Sequence, residues 1–439
     1  MRPPRVLIIV QNLPVPLDRR VWLEARALTA AGYQVSVICP KGPDDPARQV
    51  LDGVGIYKYR PAPDANGLLG FVVEFAYSWL RTALLSVVVR RERGFDVIQA
   101  CNPPDTYWLL ALLWRVAGVR FVFDHHDLNP ELFRSRFGEP RSIGARAQYG
   151  GLLWLERRTF RAADRVISTN ESYRRVALER GGVPREHTEV VRSGPDTRRM
   201  RPVVPETDRA QGGHLLVYLG IMGPQDDVHV VLEVMDELVR VRGRQDVRAA
   251  LLGFGDTLED LRRQCTALGL DDVVEFTGRV GLREIGDYLS AASLGLGPDR
   301  NTPLNDASTM NKTMEYMAYA VPAVSFDLTE TRYSAGDTGV IVPSGDVGAF
   351  ADAVEALLDD EDRRVALSLA ARERATAELD WRPQRSRYLG VFDGLLRFRS
   401  TVPSDDPAPD TRDPWGRDYV DLDEPGRLES FVRSRGPAR

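Results

Sequence analysis

The chain has 439 residues, 43% hydrophobic and 28% charged, a length for two or three domains and a composition that excludes wholesale disorder. A net charge of −5 excludes a protein whose main work is binding the phosphate backbone of nucleic acid. Cys39, Cys101 and Cys265 are far apart with no CxxC, and the five histidines lack HxxxH or HExxH spacing, so buried free thiols in a reducing compartment are expected and no metal.

The N-terminus, MRPPRVLIIVQ, is basic then apolar, but its apolar run is too short for a signal-peptide core and reads as a first strand. The helical pattern VWLEARALTAAG follows, with Gly32 placed to stop it, and then the strands QVSVICP and VGIYKY. Leu68 to Val89 approaches the length of a membrane span. Glu74 and Arg81 interrupt it, each costing roughly 2.5 to 3.5 kcal/mol at a bilayer centre, so a buried or interfacial helix is expected instead. The basic cluster Arg90, Arg91, Arg93 behind it suits either an anionic lipid surface, with Trp79 touching the membrane, or simply the dipole of a core helix's last turn. DVIQAC, the proline-led helix DTYWLLALLWRVAG, FVFDHHD, RVISTN and EVVRSG, with helices between them, complete a β-α succession.

Residues 195–213 carry three prolines and many charges and read as a linker. A second series then runs through HLLVYLG, VRAALLGFG, VVEFTGR, LGLGP, AVSF and GVIVPSG. Two doubly wound parallel sheets are therefore expected, with ligands in a cleft outside their strand C-terminal edges. From about Thr401 the chain turns to Pro, Asp, Arg and Gly and reads as a poorly ordered tail.

The first βα turn, QNLPVPLDRR, has no GxGxxG, and no GxxxxGK[ST] occurs, which removes a dinucleotide oxidoreductase and a P-loop NTPase. Glycines end the strands of the second half, Gly223, Gly253 and Gly255 among them, letting a bound group approach the backbone. In NDASTMNKTMEYMAYAVPAVSFD, Ser308, Asn311, Lys312 and Glu315 share one helix face. By itself that stripe is either a solvated face with an ion pair or a binding wall.

NKTMEYMAYAVPAVSFD, ETRYSAGDTGVIVPSGD and AFADAVEALLDD resemble the donor-binding half of glycosyltransferase family 4, retaining enzymes of the GT-B fold. DRRVWLEARALTAAGYQVSVICP, DVIQACNPPD, FDHHDLNPELF and TNESYRRVA are similar to the acceptor-side domain of the same family. The likeness spans residues 5–399. It implies an acceptor-side domain over 1–197, a linker over 198–213, a donor-binding domain over 214–380, a helix over 381–400 returning to the first domain, and a tail over 401–439.

The resemblance gives Glu315 the ribose hydroxyls of a nucleotide-diphosphate sugar, a diol suited to an acceptor-only carboxylate. It turns Lys312 toward the diphosphate, with Thr309 and Asn311 at the start of the helix. His126 matches the family histidine at the reaction centre, with Asp127 and Glu131 near it; alternatively His126 only holds its loop through Asp127. His125, one residue back on a strand, is expected to be structural. Two departures stand out. A second family glutamate falls at Ala307, leaving Asp306 beside it, and the usual Arg and Lys pair is absent from GIMGPQDD, leaving Lys312, Arg279 and Arg300 as candidates to stabilise leaving-group charge.

The expectation is a cytoplasmic, metal- and cofactor-independent glycosyltransferase, peripheral to the inner face of a membrane. It would move a sugar, with retention, onto a saccharide or polyprenyl-linked acceptor in polysaccharide or glycoconjugate synthesis. The departures leave a rival: a non-catalytic sugar-nucleotide-binding protein acting through partners. An epimerase of the same architecture has no further support.

Overall fold

The computed structural model describes residues 2–62, 67–205, 209–401 and 410–437, with backbone alone for 67–72. The chain divides into two compact units, Met1–Ser193 with Gln384–Asp406, and Gly194–Pro383 with Pro407–Arg439.

The first unit holds an eight-stranded sheet built from β1 (Arg5–Ile9), β2 (Gln34–Pro40), β3 (Arg48–Leu51), β4 (Val54–Tyr59), β5 (Val97–Cys101), β6 (Arg120–His125), β7 (Arg165–Ser168) and β8 (Thr188–Val190). Its order is β3-β4-β2-β1-β5-β6-β7-β8, parallel except for the β3–β4 hairpin at one edge, which the sequence reading missed. Asp18 caps the helix Arg19–Ala30 by accepting from the Val21 amide, and Gly32 follows that helix at φ +93°, a left-handed turn suited to glycine. The helix Trp381–Leu396 joins this unit from Gln384 on: the Tyr388 hydroxyl donates to Gln99 Oε1 (2.6 Å) and Tyr33 donates to Asp393.

The predicted apolar helix spans Gly67–Glu92, and Trp79 packs against the core of this unit. The basic turn also works inward: Arg90 donates to the Phe95 carbonyl, and Arg93 reaches Gly53 O (3.4 Å). Trp79, Arg90 and Arg93 are therefore engaged within the protein, while Arg91 of the same turn is exposed. Among the described residues no helix is long and apolar enough to cross a membrane.

The second unit has six parallel strands, β9 (His214–Leu219), β10 (Val247–Leu252), β11 (Val274–Gly278), β12 (Leu294–Gly297), β13 (Ala323–Phe326) and β14 (Val340–Val342), in the order β11-β10-β9-β12-β13-β14. Fully buried Leu216, Leu251, Leu294 and Phe326 form its core with the helices His229–Asp236 and Val347–Asp359.

The linker and tail readings need correction. Residues 194–205 belong to the second unit, where the Thr197 amide donates to Asp380 (3.1 Å). Residues 410–437 are ordered on the same unit. Val203 bridges Tyr419, the buried Arg417 is clamped by Asp287 and Asp413, and a short helix, Arg427–Arg433, buries Val432. Arg435 is buried and donates to the carbonyls of Ser290 (2.8 Å), Ala320 (2.6 Å) and Tyr319 (2.7 Å). Burial pulls its pKa down to about 9, so the cation rests on helix-end carbonyls, where the dipole favours positive charge. A charged, proline-containing composition hid this because the partners lie far away in the chain.

Candidate active site

In an open parallel sheet, ligands gather outside the strand C-termini where the strand order reverses. In the second unit that point lies between β9 and β12. Pro298-Asp299-Arg300 follows β12, and the helix Asn311–Ala318 brings its first turn back to the same place. Lys312 Nζ lies 2.7 and 2.8 Å from the two carboxylate oxygens of Asp299 and 4.8 Å from the centre of the Tyr218 ring. The pair is nearly closed off, with side chains 8% and 2% exposed. Met314 and Met317 pack on the opposite side of the helix, against Ala371, Ala375 and Leu379. The stripe is not a solvated face: Lys312 and Glu315 are both buried, and Asn311 at the helix start is exposed. Arg372 donates to Ala318 O and Arg435 to the next two carbonyls, so buried cations hold the rear of the helix.

The glycines of this rim serve the backbone first. Gly253 has φ +153°, and a Cβ there would stand 1.8 Å from Gly220 O; one on Gly255 would stand 2.4 Å from Met222 O. The loops after β9 and β10 thus lie directly on one another, a contact only glycine permits. Gly223 begins the turn over Asp226, whose Oδ2 accepts from the Gly223 amide (2.9 Å). Burial pushes the Asp226 carboxyl up to about 6. Arg279, after β11, stacks 3.9 Å over Phe254, and the Arg300 amide donates to Asp227 (3.0 Å). Thr309 is half-buried just before the helix. Asp306 is tied inward, accepting from the Thr329 amide (2.8 Å) and hydroxyl (3.0 Å) and from Asn301 (3.2 Å).

The first unit's switch point falls between β1 and β5. Asn102, just past β5, braces the loop after β6: its Oδ1 accepts from the amides of His126 (2.7 Å) and Asp127 (3.1 Å), and its Nδ2 donates to Asp127 O (2.7 Å). His126 Nε2 lies 2.8 Å from Asp124 Oδ2 and 3.0 Å from Arg20 Nε, so Nδ1 is the nitrogen left for other contacts. Arg20 also reaches Asp124 Oδ1 (2.9 Å), Val191 O (2.8 Å) and Ser193 Oγ (3.1 Å). Although burial opposes it, Arg20 and then His126 hold Asp124 well below the usual carboxylate range. Burial, with Asp124 alongside, pushes the Glu24 carboxyl up, against the pull of Arg20, whose Nε lies 3.1 Å from Glu24 Oε1. Gln99 Nε2 bridges Glu24 (2.7 Å) and Asp124 (2.8 Å).

Burial raises the Asp127 carboxyl. Glu131 is held by Arg180 at 2.6 and 3.1 Å, an internal ion pair. Cys101, Asp124 and His126 offer ligand atoms within 4.8 Å of one another, but Arg20 already neutralises Asp124 and burial raises the Cys101 thiol, an environment poorly suited to a cation. His125 faces the other way, buried against Phe123, Phe160 and Tyr173.

Asp299, Asp226, Arg20, Glu24, Asp124 and Gln99 were not anticipated as site residues. An Arg and a Glu four apart at the start of a helix were a visible signal for Arg20 and Glu24; nothing local marked Asp299.

Two family matches divide the chain where its units divide. The family described as "Glycosyl transferase 4-like domain" matches residues 17–194, and that described as "Glycosyl transferases group 1" matches residues 213–360. The chain belongs to the group 1 glycosyltransferases. This transferase is 26% identical over 350 residues to alpha-D-kanosaminyltransferase of Streptomyces kanamyceticus, covering 76% of this chain and 86% of that one. It is 26% identical over 412 residues to D-inositol 3-phosphate glycosyltransferase of Thermobispora bispora, covering 86% and 90%. In structure it is similar to sucrose-phosphate synthase from Thermosynechococcus elongatus (TM-score 0.72, 19% identity, 90% of this chain and 99% of that one). It is also similar to Anabaena HepE solved with UDP-glucose (TM-score 0.65, 16% identity, 89% and 99%). The two parallel-sheet α/β units are those of the GT-B fold.

Proposed function

We propose that the transferase moves a sugar from a nucleotide-diphosphate sugar to a saccharide or polyprenyl-linked acceptor, retaining configuration as family 4 enzymes do. The observation that carries this reading is the Lys312–Asp299 pair at the switch point of a group 1 domain, with the start of a helix beside it. Glu315, one turn on, accepts from the ribose diol. The amides near Thr309 and Asn311 face the diphosphate, where a helix N-terminus favours negative charge. Asp299 balances Lys312 in the resting protein, so the charge that develops on the leaving diphosphate draws also on Arg279 and Arg300 at the same rim. Relatives solved with UDP and with UDP-glucose support a uridine nucleotide as the first donor to try.

In the first unit, His126 is the residue the family resemblance assigns to the transfer step. Asp124 and Arg20 fix its ring, Asn102 fixes its loop, and Asp127 lies beside it. A lipid-linked acceptor would bring the protein to the inner face of a membrane.

Screening UDP-, GDP-, ADP- and TDP-sugars, by calorimetry for binding and by nucleotide release for turnover, tests this. Binding and release with one donor, both weakened in Glu315→Gln, are expected; no binding of any sugar nucleotide refutes the reading. Ala307 and the missing basic pair favour a second reading, binding without catalysis, for which tight binding with no turnover on any acceptor would decide.

A further inference from the structure

The helix Gly67–Glu92 buries hydroxyls beside its core-facing apolar side chains and leaves an apolar stripe outside. Ser78, Thr82 and Ser86, four residues apart on one face, are buried. They have polar partners there: the Thr82 and Tyr107 hydroxyls lie 3.4 Å apart, and Trp114 Nε1 donates to Ser86 Oγ (3.0 Å). The opposite face carries Leu80, Leu84 and Val87, all exposed, the two leucines at 54%. On a water-facing helix that outer stripe would be polar.

The neighbouring helix, Trp108–Arg115, repeats the pattern. Leu109, Leu113 (65% exposed) and Val116 (93% exposed) stand outward at helical spacing. Its other neighbour is the helix Ile143–Ala162, joined through the edge-on Trp108–Trp154 contact. All three helices pack on one core cluster, so their outer faces form one layer. Arginines rim it: Arg81 and Arg91 on the first helix, Arg157 and Arg161 on the third, with Arg158 5.3 Å over the half-exposed Trp154 ring. Glu92 and Glu156 are paired with Arg48 and Arg180, and Glu74 lies on the flank one heptad before Arg81.

We propose that this face is a docking surface for an anionic lipid bilayer. Adjacent apolar stripes beyond what isolated surface leucines require mark an interaction site. The excess of guanidinium and the tryptophan at the rim favour lipid headgroups over a protein partner, since each arginine near such a surface adds attraction and tryptophan settles at the interface. Trp79, Arg90 and Arg93 face the protein; of the basic end only the exposed Arg91 belongs to this surface. The proposal goes beyond the transferase reading and stands on the surface alone.

The test is co-sedimentation of the full chain with phosphatidylglycerol/phosphatidylcholine vesicles and with phosphatidylcholine alone. Wild type should partition onto the anionic vesicles about tenfold better or more, less so as salt rises. Leu84→Ser/Leu113→Ser and Arg157→Glu/Arg158→Glu/Arg161→Glu should each weaken partition about tenfold or more, with melting temperature held near wild type. Val116→Ser, at the most exposed position, serves if the double variant is unstable. No partition at low salt, or variants that bind like wild type, overturns the proposal. So does a stable dimer that Leu113→Asp dissociates, which would make a second copy the occupant. No donor or acceptor enters this assay, so its failure leaves the transferase reading intact.

Discussion

Asp299→Ala removes the carboxylate that holds Lys312. The ammonium meets both oxygens of Asp299 at hydrogen-bonding distance, and its side chain is 8% exposed, so water is poorly placed to replace them. Stripping one member from a buried ion pair leaves an uncompensated charge and costs about 3–5 kcal/mol. In a unit of about 220 residues each kcal/mol lowers the melting temperature by about 2–4 °C, so a fall on the order of 10 °C is expected. Lys312→Met should destabilise comparably by stranding Asp299, and the double variant should lose much less than the sum, because neither charge is then alone. The assay is urea and thermal unfolding of the full chain without nucleotide, following the transition that sugar nucleotide shifts. An Asp299→Ala protein within about 1 kcal/mol of wild type, with additive effects in the double variant, would refute the argument that this pair is buried and mutually dependent. On function, Lys312→Ala should lower turnover more than donor affinity, since the diphosphate gains charge as its bond to the sugar breaks.

Glu315→Gln keeps size but loses charge, and hydrogen bonds to a charged group contribute roughly 1.5–3 kcal/mol, so donor affinity by calorimetry should fall about tenfold to a hundredfold. Burial among aromatic rings pulls His125 down to about 3. Its folded pKa lies below its unfolded value, so its contribution is complete above about 6.5 and is lost as pH falls toward 3. His125→Phe should flatten stability against pH in that window, and an unchanged acid limb in urea titrations would show that His125 is not the group responsible. Ending the chain at Thr401 removes Arg417 and Arg435, so the melting temperature should drop by several degrees; Arg435→Met, which strands three carbonyls, should cost about 2–4 kcal/mol by itself. A truncated chain as stable as the full one would return residues 410–437 to the status of a passive tail.

Alternating apolar runs and amphipathic helices, glycines closing the strands, and the motif around Lys312 and Glu315 were enough to read two doubly wound units and a glycosyltransferase. Those features are local, because period, turn chemistry and short motifs are set by residues a few positions apart. What needed the tertiary structure was which side chains meet. Arg20 and Asp124 are 104 residues apart, and Tyr388 reaches Gln99 across 289; both meetings follow from strand order and from where the last long helix lands. Even Asp299, only 13 residues before Lys312, is paired only because the loop after β12 and the start of the helix leading to β13 come back to the same sheet edge. The same holds for Arg435, whose acceptors are the ends of two helices, and for the helix Gly67–Glu92. Composition marks that helix as apolar, but only the packing shows that its inward face joins Val89 to hydroxyls met by Tyr107 and Trp114. A buried polar group needs a partner, and partners are assigned by topology and not by neighbours in sequence.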